Sequence, residues 1–149
     1  MSEHTMKHKK LIIGAVLPLI VVVVIVFIYF MENAVYINTR FADKVMLQVE
    51  PRYSKERTPI ITEINQDDAE ILKKIFVDIA IKDTPACLFG SVNLVFESAY
   101  KSVTLYPACD DCDTVRILHN GQDYYFYLGD NNKRLMREIL IKYGVVWRT

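Results

Sequence analysis

Thr114-Val115-Arg116-Ile117-Leu118-His119-Asn120-Gly121-Gln122-Asp123-Tyr124-Tyr125-Phe126-Tyr127-Leu128 is the stretch whose reading decides the fold. Val115 and Ile117 alternate with polar neighbours, as a half-buried strand requires. Asn120-Gly121 supplies two adjacent residues that tolerate positive φ, the requirement of a tight two-residue hairpin. The run Tyr124–Leu128 is apolar on both faces and wet at the tyrosine tips, which suits an interior strand. The pattern continues upstream: Val92, Leu94 and Phe96 alternate, then Val103 and Leu105 before Pro107. Four strands joined by short connections must pair antiparallel.

Helices flank this group on both sides. Asn65 is a good N-cap with Asp67 and Asp68 in the first turn, and Ala69, Leu72, Ile75, Phe76 and Ile79 recur at helical spacing up to the break at Thr84-Pro85. Before it, Val45–Glu50 reads as a strand ended by Pro51, Arg52–Pro59 as a polar loop, and Ile60–Ile64 as a short strand. After the hairpin, Asp130 is placed to cap a last helix. Its stripe is Leu135, Met136, Ile139, Leu140 and Tyr143, with Gly144 as the stop. The expected fold is α+β: a two-layer domain over 45–149, an antiparallel sheet of about five or six strands with two helices packed on one face.

The N-terminal third is different in kind. Leu11–Phe30 is an apolar run of twenty residues without a charge, long enough as a helix to cross roughly 30 Å of hydrocarbon. A soluble core helix would keep a polar stripe, and Pro18 is tolerated where lipid forces the backbone to satisfy itself. A cleaved signal peptide has a shorter apolar region and a small-residue cleavage site; Met31-Glu32-Asn33-Ala34 is a poor one. The expectation is an uncleaved transmembrane helix over 11–30, preceded by a cytoplasmic tail over 1–10 and followed by a stalk over 31–44. Lys7, Lys9 and Lys10 precede the run and Glu32 follows it. The positive-inside rule then leaves the N-terminus in the cytoplasm and Met31–Thr149 outside, in a single-pass protein of the cell membrane.

Net charge is formally zero. From Met31 onward there are 15 basic and 17 acidic residues, which argues against the strongly basic surface of a nucleic-acid binder. No cofactor motif stands out: there is no Gly-rich phosphate loop, no Gly-x-Ser-x-Gly and no His-Glu-x-x-His. No catalytic set is visible. Lys133, Arg134, Arg137 and Lys142 on the last helix suit either a solvated face or an anionic ligand such as a wall polymer.

Cys109-Asp110-Asp111-Cys112-Asp113, with Cys87 upstream, is the most unusual segment. Four readings stay open. A disulfide among Cys87, Cys109 and Cys112 suits an oxidising compartment; closing the 87–109 loop would add about 3 kcal/mol in the chain-entropy model. The three could instead be free thiols in a polar turn. A redox Cys-x-x-Cys wants a helix N-terminus and basic neighbours, and here the neighbours are acidic. Cys87, Cys109, Cys112 and His119 have the chemistry of a Cys₃His zinc site, with His119 also suited to the turn at Asn120-Gly121. The aspartates do not follow the calcium-loop pattern.

Cys87-Leu88-Phe89-Gly90, Tyr106-Pro107-Ala108-Cys109-Asp110-Asp111-Cys112, Tyr124-Tyr125 and Leu135-x₃-Ile139-Leu140-x₂-Tyr143-Gly144 together resemble small uncharacterised extracytoplasmic membrane-anchored domains of Gram-positive, clostridial-type bacteria. The resemblance rests on the Ala-Cys-Asp-x-Cys and Lys-Tyr-Gly patterns. It implies location and fold and brings no activity. The functional expectation is a non-enzymatic, membrane-anchored extracytoplasmic binding or accessory domain. Its partners would be the lipid bilayer through 11–30 and an extracytoplasmic protein or wall component. The alternative is a thiol- or zinc-containing domain using Cys87, Cys109 and Cys112.

Overall fold

The computed structural model describes residues 3–147, with side chains from Val16 onward except Met31. It divides into two compact units, Met1–Ala34 and Val35–Thr149. The first is α1, Glu3–Asn33, which carries Pro18 inside it. Every large apolar side chain from Val16 to Phe30 is between 44% and 69% exposed. The transmembrane helix expected as part of the fold is corrected here: among the described residues, no helix is long and apolar enough to cross a membrane. The side chains of Lys7, Lys9, Lys10 and Leu11–Ala15, on which that expectation also drew, lie outside the described residues.

The second unit is a sheet with two helices. Its strands are β1 (Ala34–Asn38), β2 (Lys44–Val49), β3 (Ile60–Glu63), β4 (Val77–Ile81), β5 (Val92–Glu97), β6 (Ser102–Pro107), β7 (Thr114–His119) and β8 (Gln122–Tyr127). Its helices are α2 (Gln66–Ile75) and α3 (Gly129–Lys142). The spatial order is β1-β4-β8-β7-β6-β5-β2-β3, an eight-stranded sheet. The meander β5–β8 forms its centre, and the β3–α2–β4 connection carries the chain from one edge to the other side.

The count of five or six strands is therefore corrected to eight, for two physical reasons. Ile75, Phe76 and Ile79 fit a helical stripe, but α2 stops at Ile75 with Phe76 as its C-cap. The alternating, β-branched Val77–Ile81 then becomes β4. The segment read as a stalk holds β1, which follows α1 with no turn residue to announce it. The helical end is fixed from outside: the buried Thr39 hydroxyl lies 3.0 Å from the carbonyl oxygens of both Lys73 and Phe76, and Lys73 Nζ donates to the Ala42 carbonyl at 2.9 Å. The Thr39 hydroxyl offers its one proton to the carbonyls at the helix end, and the Lys73 bond ties the last turn to the segment after β1.

Register sorts the side chains. Val45, Leu47 and Val49 face Phe96, Leu94 and Val92 across β2 and β5. Leu94 then meets Leu105, Leu105 meets Ile117, and Ile117 meets Tyr124. This inner face receives Leu72 and Ile75 from α2 and Met136, Ile139 and Leu140 from α3. Phe76 is its hub, edge-on to Phe96 at 5.6 Å and to Phe126 at 6.2 Å between centroids. Both helices lie on this side. The outer face carries the alternate residues, among them Tyr106, Arg116, Tyr125 and Ile81 in one cross-strand row.

Two local expectations also change. Asp130 sits in the first turn of α3, but Leu128 is the N-cap and no side chain caps it. Leu135 is 37% exposed rather than buried.

Candidate functional site

The cysteine segment lies in the β6–β7 loop, and its geometry follows from strand alternation. Val103, Leu105 and Pro107 point inward along β6. Cys109 continues that period, is 1% exposed and joins the core. Burial pushes its thiol pKa up; the backbone N–H groups of Ser91 and Val92 and the Arg52 charge act against this, and the Asp110 charge with it. The thiol is therefore protonated and shielded, the opposite of a reactive cysteine.

Cys87 and Cys112 form a disulfide with their Cα atoms 6.2 Å apart. Its role is set by what it joins. The chain from β4 to β5, residues 82–91, must pass the ends of β8, β7 and β6, and it does so as a strap against the outer face. Phe89 packs on Tyr125, with centroids 5.6 Å apart. Arg116 lies under the strap, 4.6 Å from the Tyr106 ring centroid and 5.8 Å from that of Phe89, with Asp123 at 3.8 Å. Tyr127 donates its hydroxyl to Asp83 at 2.9 Å. The disulfide pins the strap to the β6–β7 loop.

Asp110 reinforces the junction. One carboxylate oxygen accepts the Leu88 N–H at 3.0 Å, and the other accepts the Cys112 N–H at 3.2 Å. The Cys109 N–H donates to the Leu88 carbonyl at 2.7 Å. From the other side α3 grips the loop. Lys133 Nζ donates to the Asp111 carbonyl at 3.1 Å. Arg137 reaches the Asp111 carboxylate at 3.3 Å, donates to the Asp110 carbonyl and stacks 5.0 Å from the Trp147 centroid.

Cys87, Asp110 and Cys112 place their donor atoms within 4.8 Å of one another, and among the described residues this group includes neither Cys109 nor His119. His119 stands exposed beside Asn120 at 3.2 Å, with its ring edge-on to Tyr124. The donors do not fit a resident zinc while the disulfide stands: both thiols are consumed, and both Asp110 oxygens already accept backbone N–H groups.

The α3 cations each have an acidic or carbonyl partner. Arg134 pairs with Glu138 at 3.7 Å. Lys142 donates to the buried Asp68 at 2.7 Å.

Sequence reasoning missed a second polar cluster. Arg52 donates to the Ser91 hydroxyl at 2.6 Å, Ser91 donates to Glu50 at 2.9 Å, and Arg52 meets Glu50 at 3.1 Å. Only the run of charges in 50–57 hinted at it. Beside it opens a cleft of about 580 Å³ lined by Pro51, Arg52, Ser54, Lys55, Arg57 and Val146. It shares no residue with the cysteine loop.

No family model matches the chain, and neither a curated protein nor a solved structure matches it.

Proposed function

We propose that this chain is a non-enzymatic binding or accessory domain held at a cell membrane by its apolar segment 11–30, with Met31–Thr149 on the extracytoplasmic side. One observation carries the reading: an unbroken apolar surface from Val16 to Phe30 is exposed all round the helix. Leaving so much hydrocarbon in water costs on the order of 25 cal/mol per Å², and a lipid phase removes that cost. The Lys7, Lys9 and Lys10 flank sets the orientation. The disulfide suits an oxidising compartment. The resemblance to Gram-positive extracytoplasmic domains points the same way. The non-enzymatic part draws on the chemistry of the cysteine loop. The one unbonded thiol is buried and protonated, and the acidic loop is tied up in structural contacts.

The test is fractionation of the full chain carrying a C-terminal epitope. Recovery in the membrane fraction, with the epitope digested by protease added to intact cells, is the expected result. A soluble product, or an epitope protected until lysis, would refute the placement. A broad hydrolase and transferase screen with robust turnover would refute the non-enzymatic part.

The alternative, a thiol or zinc domain, draws on the grouping of Cys87, Asp110 and Cys112. It requires the reduced chain. Elemental analysis of protein purified with and without reductant, with thiol counting, separates the two readings.

A further inference from the structure

We propose that the outer sheet face at the β1 edge, presented by Tyr36, Ile79, Ile81 and Tyr127, rests on the interfacial layer of the same bilayer; this inference depends on the membrane reading above. These side chains are 65%, 44%, 44% and 49% exposed. They share one face. Ile37 points into the core, so Tyr36 points outward. Ile81 pairs with Tyr125 across β4 and β8, which puts Ile79 and Tyr127 on the same side. β1, β4 and β8 are neighbours, so the four form one patch. The strap covers the middle of this face, where Phe89 lies on Tyr125, and its Asp83 holds the Tyr127 hydroxyl; the Tyr127 ring, at 49% exposure, and the β1 edge stay open.

Covalent reach keeps this edge near the bilayer, and its side-chain chemistry favours that occupant. Tyr36 follows the last residue of α1, Asn33, by three positions. Extended chain covers at most about 3.5 Å per residue, so Tyr36 lies within roughly 10 Å of the helix end. The headgroup layer on one side of a bilayer is itself about 5–8 Å deep. Asn33 lies about 4.5 Å further along the helix than Phe30, so a chain embedded through Phe30 keeps Tyr36 within roughly 15 Å of the hydrocarbon boundary, close enough for the patch to meet the headgroup layer. Its chemistry suits that depth: tyrosine puts an apolar ring and a polar tip at the boundary, and aliphatic neighbours add buried area. A second copy or a separate protein would not be tied to this edge by chain length.

The experiment uses the full chain, with Trp147→Phe as background, in phosphatidylcholine–phosphatidylglycerol vesicles with brominated acyl chains. Tyr36→Trp, Ile81→Trp and Tyr127→Trp, made one at a time, place a single indole on the patch. Ile61→Trp is the reference, because Ile61 is 73% exposed at the opposite edge, on β3. Ile25→Trp reports on the apolar segment itself. Bromine should quench the three patch reporters roughly twofold or more beyond the β3 reference, as a depth of about 5–10 Å below the headgroups implies. Quenching of the Ile25→Trp variant without excess quenching of the three would overturn the docking inference and leave the membrane reading intact. No quenching of the Ile25→Trp variant would overturn the membrane reading and the inference with it. Equal quenching of the Ile61→Trp variant would lay the whole face flat and overturn the edge assignment. A concentration-dependent emission shift without bromine quenching would assign the patch to a second copy and overturn it as well. Positions 36 and 127 lie on different strands, so either reporter decides the matter if the other variant fails to fold.

Discussion

Helix α3 is gripped at both ends by carboxylates, and the two grips differ in burial. Near its start, Lys133 and Arg137 hold Asp111, whose side chain is 83% exposed. At its end, Lys142 and the Tyr143 hydroxyl hold Asp68, whose side chain is 7% exposed. Asp68 also forms a reciprocal cap with Asn65: its N–H donates to the Asn65 carboxamide oxygen at 2.9 Å, and it accepts from the Asn65 NH₂ at 3.1 Å. An exposed ion pair is screened and contributes little. A desolvated carboxylate leaves several donors unsatisfied when removed. The exposed grip can be weak because the Cys87–Cys112 bond already holds its loop.

Breaking the disulfide should therefore have the largest effect. Cys87→Ala with Cys112→Ala should lose about 3 kcal/mol in urea unfolding, given the 25-residue separation. Reductant should lower the wild type to the same stability. Equal stability of mutant and wild type would show that the strap holds without it.

Asp68→Ala should come next, at about 2 kcal/mol. Its pH dependence is the sharper measurement. The Lys142 hydrogen bond, opposed by burial and helped by Tyr143 and Asn65, lowers the Asp68 pKa below its ordinary value. A depressed carboxylate contributes stability above its unfolded pKa of about 3.9 and loses it as pH falls through the folded value. The stability gap between wild type and Asp68→Asn should hold from neutrality to about pH 5 and close below about pH 4. A gap that stays constant down to pH 3 would contradict this origin.

Cys109→Ser should cost about 1–2 kcal/mol, because a hydroxyl would be buried where a thiol packs among apolar neighbours. Alkylation of the native protein should leave Cys109 unmodified until denaturant is added. Rapid labelling of the folded chain would place it at the surface. Smallest of all, Asp111→Ala should change stability by less than about 1 kcal/mol, and the change should vanish in molar salt. If it matched Asp68→Ala, burial would not be what separates the two grips.

Legibility in the sequence tracks local against non-local causes. The Asn120-Gly121 turn was readable because positive φ there has few solutions, and the angles are 51° and 76°. Gly144, at φ 88°, stops α3 for the same reason. β4 was hidden because Ile79 fits both the helical stripe of Ile75 and Phe76 and the strand alternation of Val77 and Ile81, and the Thr39 and Lys73 contacts that end α2 come from a distant turn. β1 was hidden because its pattern is short and its partner lies about forty residues away. At the cysteine loop the three thiols were visible but their pairing was left open. The inward period Val103, Leu105, Pro107, unused in that reading, extends to Cys109, which is in the core, and so leaves Cys112 to pair with Cys87.

The strand order has a kinetic consequence. β5 to β8 are joined by short connections and can pair as they are made, whereas β1 reaches a partner only through β4, across β2, β3 and α2. Loop closure over that distance must precede its hydrogen bonds, which slows it. The strand synthesised first should be among the last to gain amide protection in pulse-labelled hydrogen exchange. Until β4 is made, β1 with Ile37 has no strand to pair with and stays an unguarded edge, and a ribosome pausing before residue 77 would hold the nascent chain in that adhesive state.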